Sequence, residues 1–122
     1  MSKKILIVDD DLNIAKLLAS RLKANNYDIC VACDGLSAVS IAHREKPDLI
    51  ILDMMLPAGS GFTVFENLRK SVDTFAIPII FITAFPDKEK EEKAFEMGAE
   101  GFIAKPFEAD DLLLKVKKAL GE

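Results

Sequence analysis

Short apolar runs alternate along this chain with segments whose apolar residues recur at helical spacing, and the alternation occurs five times. Runs such as Ile5–Val8 and Leu49–Leu52 are apolar at every position, which is typical of strands buried on both faces of a parallel sheet. The second run is more weakly apolar, as expected for an outer strand. The five predicted strands are Ile5–Val8, Tyr27–Ala32, Leu49–Leu52, Ile79–Ile82 and Gly101–Ala104.

A predicted helix follows each predicted strand. Asp34 is a candidate N-cap for the second helix, and Gly98 and Gly121 are stop signals for the fourth and fifth. The predicted apolar faces consist of Ile14, Leu17, Leu18 and Leu22 in the first helix, Ala38, Val39, Ile41 and Ala42 in the second, and Val64, Phe65 and Leu68 in the third. The fourth helix is predicted over Lys88–Met97 and the fifth over Glu108–Leu120.

Five strands that each lead into a helix predict an α/β fold with a parallel sheet covered on both faces. Right-handed crossovers leave few ways to wind such a sheet, and the flavodoxin-like doubly wound (βα)5 order 2-1-3-4-5 fits the elements. This order places the weakly apolar second strand at an edge and strands one and three at the centre. Ligands of such sheets bind beyond the carboxyl ends of the strands where the winding reverses, which here lies between strands one and three.

Length and charge narrow the classes of function. The chain has 122 residues, so we expect residues 1–122 to form a single domain, with no output domain in this chain. Sixteen Lys and Arg against 20 Asp and Glu give a formal net charge of −4, which argues against direct nucleic-acid binding by this domain. The longest apolar stretch, residues 75–85, is interrupted by Pro78, so we expect no membrane span and, without a signal-peptide pattern, a cytoplasmic location.

Cys30 and Cys33 form a C-x-x-C pair, but the pattern does not suit a redox or metal site. The flanking residues alternate like a strand, and strand positions three apart point to opposite faces. A zinc site would need further ligands, and the only histidine, His43, lies in a helical segment without a suitably spaced partner. We expect two small thiols, buried or half-buried, with no chemical role.

Polar residues follow four of the five predicted strands. Asp9 and Asp10 follow the first, Asp53 the third, Thr83 the fourth and Lys105 the fifth. A single aspartate at a strand end is more often a helix cap. Three acids, a hydroxyl and a lysine at one edge of the sheet predict a site instead. For Asp9 and Asp10 both to reach it, the chain must leave the sheet just after Val8, since adjacent strand residues face opposite ways.

The residue types at this edge suit phosphoryl chemistry. Clustered carboxylates resist ionising together unless a cation neutralises them, and Mg²⁺ commonly takes one or two carboxylates, waters and phosphate oxygens. An aspartate can attack phosphorus and hold the group as an acyl phosphate. The Lys105 ammonium and the Thr83 hydroxyl could then stabilise charge on the phosphoryl oxygens.

These residues closely resemble the receiver domain of two-component response regulators, the CheY-like family, over essentially the whole chain. The matching segments are Ile5–Asp11, Leu52–Pro57 with Gly61, Ile82–Ala84, Gly98–Ala99, Phe102 and Lys105–Phe107. The resemblance implies that Asp53 is the phosphoacceptor for a histidine kinase or phosphotransfer protein. It implies that Asp10 and Asp53 ligate Mg²⁺ directly, Asp9 largely through water, and Met55 by its backbone carbonyl. It also implies that Lys105 pairs with the phosphoryl group and that the bond before Pro106 is cis.

The resemblance further implies a two-state switch. Thr83 matches a threonine that moves toward the phosphoryl group, and Phe102 matches an aromatic ring that turns inward. Together they would alter an interaction surface for a downstream protein target around the fourth helix, fifth strand and fifth helix. Two departures are Leu56, where methionine is common, and Phe102, where tyrosine is common. A phenylalanine ring can repack but offers a partner no hydroxyl.

Two apolar side chains are expected to tune the lifetime of the phosphorylated state. Met55 stands two residues after the phosphoacceptor and Phe85 two residues after the switch threonine. Hydrolysis needs a water held in line with the acyl phosphate, and neither side chain can orient one. We therefore expect slow self-dephosphorylation.

Two other functions use the same ingredients. Haloacid-dehalogenase phosphatases combine a nucleophilic aspartate, Mg²⁺, Ser/Thr and Lys, but they need a second acid where this chain has Met55, and their nucleophile follows the first strand. A phosphorylation-independent interaction module would retain the acids without using them. The oligomeric state stays open between a monomer and a dimer formed through the fourth and fifth helices.

Overall fold

The computed structural model of the protein describes residues 2–57 and 59–122. Its main feature is a five-stranded parallel sheet with the order β2-β1-β3-β6-β7, which confirms the predicted winding because β6 and β7 are the fourth and fifth predicted strands. The strands of this sheet are β1 (Lys4–Val8), β2 (Asp28–Ala32), β3 (Leu49–Asp53), β6 (Ile79–Thr83) and β7 (Gly101–Ala104). Two short strands, β4 (Met55–Leu56) and β5 (Gly59–Ser60), form a separate ladder.

Helices follow the five strands of the main sheet, as predicted. They are α1 (Leu12–Lys23), α2 (Gly35–Glu45), α3 (Gly61–Arg69), α4 (Lys88–Glu96) and α5 (Ala109–Ala119). Asp34 is the N-cap of α2, and its carboxylate accepts a hydrogen bond from Ser37 N at 2.7 Å. Within residues 2–57 and 59–122, no helix is long and apolar enough to cross a membrane.

Alternate residues of the central strands supply two cores, one on each face of the sheet. Leu6, Ile50 and Phe81 pack with α2 and α3 on one face. Ile7, Ile51 and Ile80 pack with α1 and α5 on the other. β3 and β6 are buried along their full length, which explains why all their residues except the last one of each strand are apolar.

The parallel register places the ends of the central strands side by side. Val8 pairs with Leu52 across β1 and β3, and Asp53 pairs with Ile82 across β3 and β6. Thr83 pairs with Ala104 across β6 and β7. The polar residues that follow these strands therefore lie along one edge of the sheet.

Two features differ from the sequence-based expectation. Met55 pairs with Ser60 in the antiparallel β4–β5 ladder, which is not among the five predicted strands. Cys30 is half-buried as expected, and burial raises the pKa of its thiol, but the prediction for Cys33 is wrong because that side chain is exposed. The reason is that β2 ends at Ala32, so Cys33 lies in the turn before α2.

Candidate functional site

Three predicted acids converge at the carboxyl edge of the sheet. Carboxylate oxygens of Asp9, Asp10 and Asp53 all lie within 4.8 Å of one another. Asp9 and Asp53 are buried, whereas Asp10 is exposed. The cluster is therefore shielded from solvent on the side of Asp9 and Asp53 and exposed to solvent on the side of Asp10, which leaves it open to an incoming ligand.

The turn after β1 brings Asp9 and Asp10 to the same place. Asp9 N still donates to Ala32 O of the neighbouring strand at 3.1 Å, and the chain leaves the sheet beyond it. Asp9 Oδ1 accepts a hydrogen bond from Asp11 N at 2.9 Å. Asp11 in turn caps α1 by accepting from Asn13 N and Ile14 N. The helix cap and the acidic site are thus built from consecutive residues.

Both oxygens of Asp53 have fixed partners. Oδ1 accepts a hydrogen bond from Met55 N at 3.0 Å, and Oδ2 accepts one from Lys105 Nζ at 3.2 Å. Burial raises the pKa of the Asp53 carboxyl; the Met55 N–H opposes this shift, and the Asp9 charge adds to it. The carboxylate is oriented but held in a setting that disfavours its charge.

Gly61 allows α3 to begin directly against Asp53. A Cβ at this position would lie 2.5 Å from Asp53 O and 2.8 Å from Met54 Cα, distances that real Cβ atoms do not show. Gly61 N donates to Met54 O at 2.8 Å, which ties the start of the helix to the end of β3. Only glycine fits here without moving the backbone that carries Asp53.

Lys105 is the cation of the site. Its Nζ lies 2.8 Å from Asp9 Oδ2 and 3.2 Å from Asp53 Oδ2. Burial alone would lower the pKa of the ammonium, but the two carboxylates outweigh that effect and raise it. Lys105 therefore stays charged and partly neutralises the cluster. The Lys105-Pro106 peptide bond is cis, as the resemblance implied.

A buried oxygen of the cluster suits a metal ion. Asp9 Oδ2 accepts no hydrogen bond from the residues the structure describes, since Lys105 is close but not aligned to donate to it. Buried carboxylate oxygens normally have such a partner. The donor set is entirely oxygen and carries three negative charges, which fits a hard divalent cation such as Mg²⁺.

Thr83 and Phe102 are both buried beside the site. Thr83 Oγ1 accepts a hydrogen bond from Phe85 N at 3.1 Å. Phe102 is only 7% exposed, so its side chain packs largely against the protein. By contrast, Met55 in β4 and Phe85 in the connection between β6 and α4 are exposed, at 54% and 65%.

Comparison with known proteins identifies the family. The family profile of the response regulator receiver domain matches residues 5–117. The chain belongs to the response regulator receiver domain family. It is 38% identical over 117 residues to the DNA-binding dual master transcriptional regulator RpaA of Synechocystis, an alignment that covers 96% of this chain and 48% of that protein. The chain thus spans about half the length of the curated relatives it matches.

Solved receiver domains have the same fold over nearly the full chain. A protein described as a response regulator from Chloroflexus aurantiacus superposes with a TM-score of 0.94 at 34% identity, covering 100% of both chains. The receiver domain of the sensor histidine kinase PA1611 from Pseudomonas aeruginosa has a TM-score of 0.90 at 26% identity, also covering 100% of both chains. That structure has a magnesium ion coordinated in its active-site cleft.

Family membership makes this a signalling domain of two-component systems and does not favour the alternatives. The position two residues after Asp53, where a haloacid-dehalogenase phosphatase needs an acid, is occupied by Met55 with an exposed apolar side chain. Asp53 also follows β3, not β1. Both observations argue against a phosphatase.

Two residues that support the site were not given a role from sequence. Gly61 was recognised only as part of a motif, and its close approach to Asp53 O depends on how α3 packs. Asp11 appeared only as the last residue of the matching segment Ile5–Asp11. The signal that could have identified it is an Asp immediately before a helical apolar pattern, the typical N-cap.

Proposed function

We propose that this chain is a phosphoacceptor switch in which Asp53 takes a phosphoryl group from the phosphohistidine of a histidine kinase or phosphotransfer protein. The observation that carries the proposal is the convergence of the Asp9, Asp10 and Asp53 carboxylates with the Lys105 ammonium 3.2 Å from Asp53 Oδ2. Asp53 lies at the end of a central strand, next to the point where the winding reverses. Ligands of this fold class bind there.

In the proposed reaction, an Asp53 carboxylate oxygen attacks phosphorus. The new P–O bond replaces the P–N bond to the donor imidazole, whose nitrogen keeps the electron pair of that bond. Met55 N–H orients the carboxylate, and Lys105 neutralises charge near the phosphoryl oxygens. The surrounding carboxylates oppose the approach of an anionic donor, so the reaction requires a cation in the cluster.

The residues proposed to hold Mg²⁺ are Asp10 and Asp53 directly, Asp9 largely through water, and the backbone carbonyl of Met55. Asp9 Oδ2 supports this assignment, because among the described residues it has only the Lys105 ammonium beside it and accepts no hydrogen bond. When bound, Mg²⁺ neutralises the carboxylates and offers open positions to phosphoryl oxygens. Lys105 would then be freed from part of its pairing with Asp9 and become available to the phosphoryl group.

The proposed output is a change in the surface formed by α4, β7 and α5. This surface has a cavity of about 500 Å³ whose lining includes Phe102, Phe107, Glu91, Asp111 and Lys115. Rearrangement of Thr83 and Phe102 beneath it would alter its shape for a downstream protein target. Direct binding of nucleic acid is not part of this role, since the formal charge of the chain is −4.

The proposal treats residues 1–122 as one cytoplasmic receiver domain that assists its own phosphorylation but turns over no separate substrate. The family match over residues 5–117 supports a single domain. A transcriptional output would come from other parts of a longer regulator, as the relation to RpaA suggests.

The test is phosphorylation by a small phosphodonor with Mg²⁺, followed by intact-mass measurement. The wild-type protein should gain one phosphoryl mass, and the metal chelator or Asp53→Asn should abolish the gain. Asp28→Asn is the matched control, because Asp28 is an exposed acid at the opposite edge of the sheet. A phosphoryl gain in Asp53→Asn equal to that of the wild type would refute the assignment.

A further inference from the structure

The backbone of Phe85 is held from both sides. Its N–H donates to Thr83 Oγ1 at 3.1 Å, and its carbonyl oxygen accepts a hydrogen bond from Lys90 Nζ at 2.8 Å. Phe85 lies in residues 84–87, which connect β6 to α4. The side chain of Phe85 is 65% exposed, so these two backbone contacts, and not burial, hold this residue in place.

Lys90 is itself positioned by the cap of α4. Asp87 Oδ1 accepts a hydrogen bond from Lys90 N at 2.7 Å, and Asp87 Oδ2 lies 3.7 Å from Lys90 Nζ. The Lys90 side chain is 32% exposed, and its hydrogen bond to Phe85 O lies at the protein surface. A single lysine thus ties the first turn of α4 back to the peptide group two residues after Thr83.

This arrangement couples Thr83 to α4. In the structure, an acceptor lone pair of the Thr83 hydroxyl is engaged by Phe85 N–H. If Thr83 turns toward a phosphoryl group on Asp53, Phe85 N–H loses this acceptor unless the connecting peptide moves with it. Lys90 opposes that movement because it holds the carbonyl of the same residue.

We propose that Lys90 is a positioning residue that stabilises the unphosphorylated conformation of residues 84–87 and so raises the threshold for the switch. The inference rests on the proposed function, since it assigns Lys90 a part in the same transition. Hydrogen bonds from charged donors stabilise more than neutral ones, but partial exposure weakens them. Loss of the hydrogen bond from Lys90 to Phe85 O should shift the equilibrium between the unswitched and switched states about three- to tenfold toward the switched state.

The first test uses unphosphorylated, metal-free protein and measures exchange of the Phe85 amide with water by NMR. Lys90→Met should speed this exchange about three- to tenfold, because the loop opens more often. Lys90→Arg should restore slow exchange, since it keeps a cationic donor. Lys88→Met is the matched control, being a lysine in the same turn of α4. Equal exchange in Lys90→Met and wild type would overturn the proposal.

The second test measures affinity for beryllofluoride, a phosphoryl mimic, with Mg²⁺ present. Lys90→Met should bind about three- to tenfold more tightly than wild type, and Lys88→Met should match wild type. Weaker or unchanged binding by Lys90→Met would also overturn the proposal. If wild type binds no beryllofluoride, the proposed function fails, whereas the exchange experiment still reports on the contact between Lys90 and Phe85.

Discussion

Lys105 Nζ lies 2.8 Å from Asp9 Oδ2, the buried oxygen that accepts no hydrogen bond from the residues the structure describes. The ammonium therefore sits beside the carboxylate group that suits a metal ion. Two cations in one small cluster repel each other, so lysine and metal compete for the same negative charge. We expect a divalent cation bound in this cluster to weaken the contact between Lys105 and Asp9.

Removal of this lysine should strengthen metal binding and weaken phosphorylation. Lys105→Met should bind Mg²⁺ about tenfold more tightly, because a competing charge is lost, which corresponds to about 1.4 kcal/mol. The same variant should accept a phosphoryl group more slowly, because charge on the phosphoryl oxygens is less well neutralised. Calorimetric titration and intact mass measure the two effects. Lys118→Met, on the exposed last turn of α5, is the control. Unchanged affinity in Lys105→Met would contradict the competition.

Thr83→Ala should separate the signal from the chemistry. The variant should still be phosphorylated, but it should lose the shift of amide resonances around α4 and β7 that a phosphoryl mimic induces in wild type. Thr83→Ser retains the hydroxyl that contacts Phe85 N and should behave like wild type. An undiminished shift in Thr83→Ala would remove this residue from the switch.

Met55→Asn and Phe85→Glu should each shorten the life of the phosphorylated state severalfold. Both side chains are exposed beside the cluster, where a polar group could orient the attacking water. Decay of the phosphorylated protein is followed by intact mass. Leu36→Asn provides the comparison, since Leu36 is also an exposed apolar residue, 87% accessible, at the start of α2. Equal decay rates in the wild type and in all three variants would mean that the Met55 and Phe85 side chains do not protect the phosphoryl group.

Gly61→Ala should be destabilised by about 1 to 3 kcal/mol and should be phosphorylated more slowly. The added Cβ meets the backbone of Asp53 and Met54, which must move and take the carboxylate with it. Gly101→Ala is the matched control because its Cβ meets Ile80 side-chain atoms at 3.3 Å or more, and these can adjust. Denaturant unfolding and phosphorylation rates test both variants. Wild-type behaviour of Gly61→Ala would show that the approach is less tight than the structure indicates.

Tyr27 should make stability fall at alkaline pH. Burial and the hydrogen bond from Tyr27 Oη to Glu122 Oε1, at 2.8 Å, raise the pKa of this phenol to about 12. The folded state therefore holds the proton more tightly than the unfolded state, whose tyrosine pKa is about 10. The resulting stabilisation is complete below about pH 10 and is lost as pH rises toward about 12.

Because the hydrogen bond between Tyr27 and Glu122 is only partly buried, we expect this contribution to be about 1 kcal/mol. Tyr27 is the only tyrosine in the sequence, so absorbance titration reports on it alone. Tyr27→Phe should be less stable than wild type at neutral pH, and the difference should shrink above pH 10. Glu122→Gln should lower the pKa of Tyr27 while keeping an acceptor. Stability curves of Tyr27→Phe and wild type that stay parallel through this range would contradict the assignment.

The strand pattern was predictable because the more fully a strand is buried, the more apolar its residues are. β3 and β6 are covered on both faces, so all their core positions must be apolar, and the pattern is visible without knowing which helices cover them. The strand order followed from the handedness of the crossovers and from the weaker apolarity of the second strand. Asp34 was recognised as a helix cap by residue type and position alone.

The sequence by itself determined the doubly wound sheet and the set of polar residues at its carboxyl edge, because both depend on local pattern and on the direction of parallel strands. Only the tertiary structure decided how those residues meet. Three contacts join segments whose separation depends on loop paths and helix packing. They are the ion pair of buried Asp9 Oδ2 with Lys105, the close approach of Gly61 to Asp53 O, and the hydrogen bond from Lys90 to Phe85 O. Contacts of this kind vary by ångströms for the same residue pattern, since the pattern specifies which face a side chain takes but not the distance to its partner.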